Sequence, residues 1–379
     1  MDADNYEVIY QVRQNRLAEA MSEAGLRGMA FNAGPSLTYL TGLHFHLSER
    51  PVVGLFTIDK PPIIILPELE AGKLNHLSYS IQGFAYGENP DTWWKVFQNA
   101  LNSADLRRSQ IGIEPRWMRV LELDFLNNTG LEIDFLPGDA CMTGIRIRKD
   151  EAEISAMQKA VHIAQDALQS ALPAIKPGIT EKELAAEITV QLLRHGSNSQ
   201  LPFTPIVASG PNSANPHAFP GDRELKNGDL VILDWGANVD GYFSDLTRTF
   251  TLGEPDNEMK IIARIVNQAN SAAREAAGPG VTAQEVDQAA RRVIEEAGYG
   301  QYFIHRTGHG LGLETHEAPY IRDGNLLSLE PGMSFTIEPG IYITGRGGVR
   351  IEDDVLITDQ GLRSFSDLSR ELINLEPQS

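Results

Sequence analysis

The stretch Pro177-Gly178-Ile179-Thr180-Glu181-Lys182-Glu183-Leu184 returns later in the chain as Pro279-Gly280-Val281-Thr282-Ala283-Gln284-Glu285-Val286. Each copy turns at a Pro-Gly pair and runs into a capping box, Thr180 with Glu183 and Thr282 with Glu285. In such a box the threonine and the glutamate each satisfy an otherwise unpaired N–H at a helix start. Each copy also follows a segment with helical apolar periodicity. A second match keeps nearly the same step. Gly228-Asp229-Leu230-Val231-Ile232-Leu233-Asp234-Trp235-Gly236 pairs with Gly332-Met333-Ser334-Phe335-Thr336-Ile337-Glu338-Pro339-Gly340. The separations are 102 residues (Thr180 to Thr282) and 104 residues (Asp234 to Glu338). One matching turn and helix is a common coincidence. Two matches in step imply a duplicated unit of two helices and a β-hairpin.

The duplication sets Asp234 and Glu338 at the same place, each ending an apolar β run with a glycine two residues on. A carboxylate buried there is costly without a partner. Having it twice at equivalent places points to a shared pseudo-twofold centre. The second strand of each hairpin brings another acid, Asp245 within Gly241–Thr249 and Glu352 within Gly348–Asp354. Four carboxylates in one dry place cannot all stay ionised unaided. A pair of divalent cations removes the repulsion, and carboxylates bridging two metals about 3.5–4 Å apart are a usual arrangement for activating a water nucleophile. A plainer reading makes these acids ordinary hairpin-end residues paired with Arg248 and Arg350. It suits a single acid better than four at repeat-equivalent positions.

Between the two acidic hairpins lies His305-Arg306-Thr307-Gly308-His309-Gly310-Leu311-Gly312-Leu313, with His316-Glu317 directly after. Small neighbours let backbone and ligand approach His309 closely. An imidazole there would complete the coordination of one metal, and a mixed nitrogen and oxygen donor set suits Mn, Fe, Co or Zn rather than Ca. His217 sits in a loop-like stretch, Asn215 to Pro220. His44, His46, His76, His162 and His195 read as packed or surface residues.

The chain has 379 residues, which favours two domains. Residues before about 140 alternate helix and strand signals. A helix is expected over Arg16–Gly25, with strands at Met29–Phe31, Pro51–Ile58, Ile63–Pro67 and Ile111–Ile113. Trp93, Phe97 and Leu101 form an apolar stripe read as core. A long amphipathic helix is expected to begin near Asp150, with Ile154, Met157, Val161, Leu168 and Leu172 on one face and Pro177-Gly178 as its stop. The boundary is therefore placed before that helix, giving domains 1–145 and 146–379. The net charge of −19 argues against nucleic acid, whose phosphates demand cationic grooves. The longest apolar run, near Ile63–Leu66, is too short to span a membrane. The single cysteine, Cys141, excludes an intrachain disulfide and fits a reducing compartment; with no signal-peptide profile at the start, a cytoplasmic protein is expected.

The motifs Asp234 through Thr249, His305 through Pro319, and Glu338 with Glu352 together resemble the pita-bread metallopeptidases, which include aminopeptidase P, prolidase and methionine aminopeptidase. The first domain resembles the creatinase-like domain of aminopeptidase P and prolidase. The resemblance implies an α+β protein: a duplicated pita-bread domain behind a smaller α/β creatinase-like domain. It implies two divalent metal ions, with Asp234 on one, Asp245 and Glu352 bridging, and His309 and Glu338 on the second. A bridging water or hydroxide would attack the scissile carbonyl, with Glu338 as proton shuttle. His217 and His316 match histidines that steady the tetrahedral intermediate and contact substrate. His305 matches a residue near the leaving side, Arg350 an arginine beside the bridging glutamate, and Tyr342 a tyrosine close to the site. Creatinase shares the fold without the metal ligands; all five are present here.

The substrates so implied are short peptides with proline second, whose scissile amide lacks an N–H. Manganese is the first expectation, with Co, Zn or Fe as alternatives, and the family suggests a homodimer. Some dipeptide-restricted members carry an arginine shortly after the position of His316-Glu317 to hold the dipeptide carboxylate. Here Tyr320 stands there, leaving Arg322 or Arg346 as substitutes and both dipeptidase and aminopeptidase action open. Two further readings are a metal-dependent hydrolase of another small amide and a non-catalytic peptide-binding module.

Overall fold

The computed structural model describes residues 3–375, and the chain resolves into two compact units, Met1–Arg146 and Ile147–Ser379. In the first unit α1 (Ala3–Glu23) begins well before the expected Arg16, because no glycine or proline interrupts that stretch. Strands β1 (Gly28–Asn32), β2 (Val53–Thr57), β3 (Ile63–Pro67), β4 (Gln82–Tyr86), β5 (Gln110–Ile113) and β6 (Asp134–Pro137) form one mixed sheet in the order β4-β3-β2-β1-β5-β6. Helices α2 (Pro35–Thr41), α3 (Trp93–Ser103), α4 (Val120–Asn127) and α5 (Asp139–Arg146) complete the unit. The aromatic stripe is core as expected: Trp93, Phe97 and Leu101 of α3 pack against Val53, Leu55, Ile63 and Ile65.

The second unit opens with α6 (Glu151–Ala171), capped by Asp150, whose Oδ1 accepts from Glu153 N at 2.9 Å. Met157, Val161 and Leu168 are buried as expected, and alanines 160, 164, 167 and 171 fill the rest of that face, whereas Ile154 and Leu172 are only half-buried. The helix stops at Ala171, short of Pro177-Gly178. Pro173, with no N–H to offer, converts the chain to a single 3₁₀ turn over Leu172–Ala174.

The duplication is visible in the backbone. Helix α7 (Glu181–Arg194) and helix α9 (Ala283–Glu296) start at the two expected capping boxes. Gly178 N donates to Leu225 O, as Gly280 N does to Leu329 O. Glu181 N donates to Arg223 O, as Ala283 N does to Leu327 O. In the first repeat β7 (Ile206–Ser209), β8 (Leu230–Trp235) and β11 (Leu246–Thr251) lie side by side, with the small β9 (Asn238–Val239) and β10 (Tyr242–Phe243) hairpin at the β8–β11 turn. After α8 (Asn257–Ala276) and α9, the second repeat sets β12 (Gly308–Gly310), β14 (Ser334–Ile337) and β17 (Asp353–Thr358) in the same order. Strand β13 (Glu317–Ile321) flanks β12, and β18 (Gly361–Ser364) flanks β17. A β15 (Gly340–Ile343) and β16 (Gly347–Arg350) hairpin fills the turn, and β19 (Ile373–Asn374) pairs with β11.

Helices α8 and α9 cover the second sheet through Ile262, Val266, Val286 and Ile294 against Phe335, Ile337 and Val355. In the first repeat the fully buried Trp235 ties β8 to α6, donating its indole N–H to Ala164 O at 2.8 Å. Among the described residues no helix is long and apolar enough to cross a membrane.

Candidate metal centre

The two hairpins meet where the acids lie. Asp234 sits near the end of β8, opposite Thr247 of β11. Thr247 in turn forms an antiparallel bridge to Glu352, each N–H donating to the other's carbonyl. The side chains repeat the link, with Thr247 Oγ1 donating to Glu352 Oε2 at 2.7 Å. Asp245 immediately precedes β11, and Glu338 immediately follows β14. From behind, Asn270 of α8 donates its amide to Ile337 O at 3.1 Å and Ile351 O at 3.3 Å, pinning the residues that precede both glutamates. His309 is carried by β12, whose approach to β14 needs glycine at 308. A Cβ there would collide with the Thr336 carbonyl. Register explains why this imidazole has no twin: Gly310 faces Phe335 as Ser209 faces Val231, so Ala208 occupies the place of His309 in the first repeat.

Asp245, His309 and Glu352 each present a ligand atom within 4.8 Å of the others, all buried. His309 Nε2 is 3.4 Å from Glu338 Oε1 and 3.8 Å from Asp245 Oδ2. Its Nδ1 lies 3.1 Å from Gly310 O, an acceptor, so the proton resides on Nδ1 and Nε2 keeps its lone pair toward the acids. Burial holds this ring well below the usual histidine range, helped by the nearby His316 and Arg306.

The carboxylates are pushed the other way. Burial, then the charges of Glu352 and Asp234, raises Asp245 well above the ordinary value. Burial followed by Glu338 and Asp234 does the same to Glu352. Burial lifts Glu338 to about 7 against the opposing pull of Arg350. Asp234 is raised by burial despite Arg350 at 2.5 Å. The arginine pairing that a plainer reading of these acids requires is thus real for Asp234, but it engages only Oδ2, and the buried Oδ1 has no partner. Arg248 is spent elsewhere, on Asp353 at 2.6 Å.

Arg350 is the one arginine bonded to the four carboxylates, and even with Arg306 lining the same cavity an excess of buried negative charge remains, which protons or cations can balance. A neutral imidazole, an orphaned carboxylate oxygen and convergent acids fit divalent metal ions. Asp234, Asp245, His309, Glu338 and Glu352 are the residues able to hold them.

All five open onto a cavity of about 750 Å³. Of the other residues singled out in the sequence, His217, His305, His316 and Arg350 also line it. Tyr342 lies just beneath, buried, its hydroxyl 3.0 Å from His305 Nε2 and 3.0 Å from Arg350 Nη1. Burial lowers His305 to about 4, so this ring is neutral. Arg322 does not belong to the cavity. It is exposed after β13, and its guanidinium donates to Asp323 O at 2.8 Å. Arg346 is likewise outside, held by Asp256 and Glu258.

Residues the sequence did not single out complete the surroundings. Asp354, fully buried, accepts the Asp245 N–H at 2.9 Å and so orients that acid. Lys149 and Glu317 form a buried ion pair at 2.5 Å beside the loop that carries His316. Arg306 lines the cavity with its guanidinium 4.8 Å from the Tyr320 ring centre. Phe203 and Phe219 line the mouth, with Phe219 88% exposed. Each of these contacts joins segments far apart in the chain, except Phe219, whose bracketing by Pro216 and Pro220 was in view beside His217.

Residues 155–359 match metallopeptidase family M24, and residues 13–147 match the Creatinase/Prolidase N-terminal domain. The chain is 35% identical over 360 residues to an Xaa-Pro dipeptidase of Lactobacillus delbrueckii subsp. lactis, covering 94% of this chain and 97% of the relative. Among solved structures, prolidase from Thermococcus sibiricus superposes with a TM-score of 0.90 at 35% identity, covering 96% of this chain and 99% of that one. Dipeptidase PepE from Mycobacterium ulcerans gives 0.88 at 36% identity, covering 98% and 99%.

Proposed function

The chain belongs to metallopeptidase family M24, with the pita-bread fold and a creatinase-like N-terminal domain, and from that premise we propose that it is an Xaa-Pro dipeptidase working with two divalent metal ions. The observation that carries the reading is the buried cluster itself. Four buried carboxylates, one of them paired with Arg350, and a neutral His309 aimed at them open onto a cavity of peptide size. The family is one of metalloexopeptidases, and its similar relatives include an Xaa-Pro dipeptidase and a prolidase.

Asp234, Asp245, His309, Glu338 and Glu352 would hold the ions. When bound, these would supply Lewis acidity toward the scissile carbonyl and lower the pKa of water. The chain's own groups then have separable tasks. Glu338, lining the cavity, takes a proton from the attacking water and returns it to the leaving amine. Arg350 fixes Asp234 and holds the Tyr342 hydroxyl. His217 and His316 face the cavity and can donate to the oxygen that gains charge. Tyr342 orients the neutral His305 ring toward the departing residue.

The reading extends to manganese as the resident ion, supported by the oxygen-rich donor set with one imidazole. It extends also to a homodimer, supported by the family resemblance alone, and to a cytoplasmic location, for which the single Cys141 is the support. Hydrolysis of Ala-Pro by protein loaded with Mn, Co or Zn tests the central statement, with Asp245→Ala beside it. Loss of turnover in the variant is expected. Absence of turnover by every metal-loaded wild-type sample would refute it.

A further inference from the structure

Two histidines that line the cavity, His217 and His305, sit on segments of their own, and each segment is tied to a helix by one buried carboxylate. The first tie is Glu181, the opening residue of α7 and fully buried. Its Oε1 accepts from Ser209 N at 2.8 Å, Ser209 Oγ at 2.7 Å and Asn212 Nδ2 at 3.1 Å. Its Oε2 accepts from Asn212 Nδ2 at 3.1 Å and Gly221 N at 3.1 Å. These donors are all neutral, and all lie on the segment from Ser209 to Gly221 that carries His217. None belongs to α7, whose start is already capped by Thr180 and Glu183. An acid at a helix start ordinarily serves the helix's own N–H groups. This one closes a loop instead, and a buried carboxylate needs every one of those donors.

One donor stands at each end of the segment, so a single group on α7 pins both ends. From there the order passes inward. Asn215 N donates to Asn212 O at 3.0 Å, and Asn215 Oδ1 accepts from His217 N at 3.1 Å. The next residue, Ala218, is buried against Ile232 and Tyr342. Among the described residues no hydrogen bond holds the His217 ring, so its place over the cavity is set by the backbone that carries it.

The second repeat ties its segment with different residues. The repeat step puts Ala283 where Glu181 stands, and a methyl group accepts no hydrogen bond. Asp287, one turn further along α9 and fully buried, accepts from Thr307 N at 3.0 Å and Thr307 Oγ1 at 2.8 Å. It also pairs with Arg291, which donates to Phe303 O at 3.2 Å and His305 O at 3.0 Å. The same tie made from non-equivalent positions marks it as a demand of the site rather than a remnant of the duplication.

We propose that Glu181 is the positioning residue of His217, fixing the segment that sets this imidazole against the oxygen that gains charge. The proposal rests on the dipeptidase reading above, in which His217 donates to that oxygen. Glu181 touches neither substrate nor metal, so its loss acts on turnover through the imidazole alone. A donor misplaced by about 1 Å costs on the order of 100-fold in rate.

The test joins two readouts. Nitrogen-15 histidine spectra are recorded on zinc-loaded protein, with the His217 and His305 signals assigned from single histidine variants. Glu181→Gln should move the His217 signal and leave that of His305, and Asp287→Asn should do the reverse. Turnover of Ala-Pro by manganese-loaded Glu181→Gln should fall about 10- to 100-fold in kcat, with KM within about threefold of wild type. On a His217→Ala background the same change should cost no more than about twofold, since the group through which it acts is gone. Asn212→Ala, which keeps the buried carboxylate and its backbone donors, should move the same signal less and lower kcat about 2- to 10-fold. It carries the test if Glu181→Gln does not fold. A His217 signal unmoved in both variants, or losses that multiply on the His217→Ala background, overturns the role of Glu181 and leaves the peptidase standing. A moved His217 signal with no turnover of Ala-Pro by any metal-loaded wild type sinks the peptidase and upholds the tie.

Discussion

Replacing Asp245 by Asn should stabilise the metal-free protein while destroying its metal site. Asp245 is buried with Glu352, their ligand atoms within 4.8 Å. Two unit charges at that distance repel by about 3.5 kcal/mol at an effective dielectric of 20. Arg350 offsets part of this, so the net gain on removing one charge is about 1–3 kcal/mol. For a unit the size of Ile147–Ser379 that corresponds to a rise of roughly 2–10 °C in Tm. The sign with pH follows from the direction of the shift. The folded protein raises Asp245 above its unfolded value, so it favours the protonated acid. Stability from that source is complete below the ordinary carboxylate pKa and is lost as pH rises through the folded value. The variant's advantage should therefore be large at pH 8 and small at pH 5. The assay is thermal unfolding of chelator-treated wild type and Asp245→Asn at both values. Adding manganese should reverse the order, because only wild type gains stability from binding. A chelated variant no more stable than wild type at pH 8, or a gain equal at both pH values, would refute the reasoning.

Other outcomes follow from particular contacts. Thr180→Ala and Thr282→Ala each remove one side of a capping box at equivalent places, so urea unfolding should show similar losses of about 0.5–2 kcal/mol. A cost at only one site would deny the equivalence of the repeats. Asn270→Leu unties the carbonyls of Ile337 and Ile351 and should cost about 1–3 kcal/mol. The same change should lower metal content at equal free ion, and retention of full metal content would show that Asn270 does not position Glu338 and Glu352. Arg350→Met leaves Asp234 without its cation and should cost about 3–5 kcal/mol in the metal-free protein. Differential scanning with and without manganese reads this directly, and the loss should shrink once metal is added.

What the sequence disclosed was whatever is local or repeated. The capping boxes are four-residue patterns, and Thr180 and Thr282 cap helices where the pattern placed them. The equivalence of Asp234 and Glu338 followed from repeat spacing, because a duplicated hairpin must carry its end residues to one centre. Helix ends were less legible. Pro173 ended α6 before the Pro-Gly pair expected to do so, since a proline two residues past Ala171 removes a backbone donor at once. The contacts that support the acids were not legible at all. Asp354 beneath Asp245 and Asn270 behind both glutamates join segments more than sixty residues apart, and nothing in their own neighbourhoods marks them. That Arg322 and Arg346 lie outside the cavity was hidden for the same reason. Arg322 and Arg346 were chosen by position along the chain, whereas Arg306 arrives by the pairing of β12 with β13, which brings it over Tyr320.

The central claim is a two-ion centre built unevenly across a duplicated fold, because Ala208 stands where His309 has its place. Calorimetric titration of chelator-treated protein with manganese tests it directly. Two ions per chain, taken up in two steps of unequal affinity, is the predicted result, the weaker step belonging to the position without imidazole. A single ion per chain, or two ions bound indistinguishably, would contradict it.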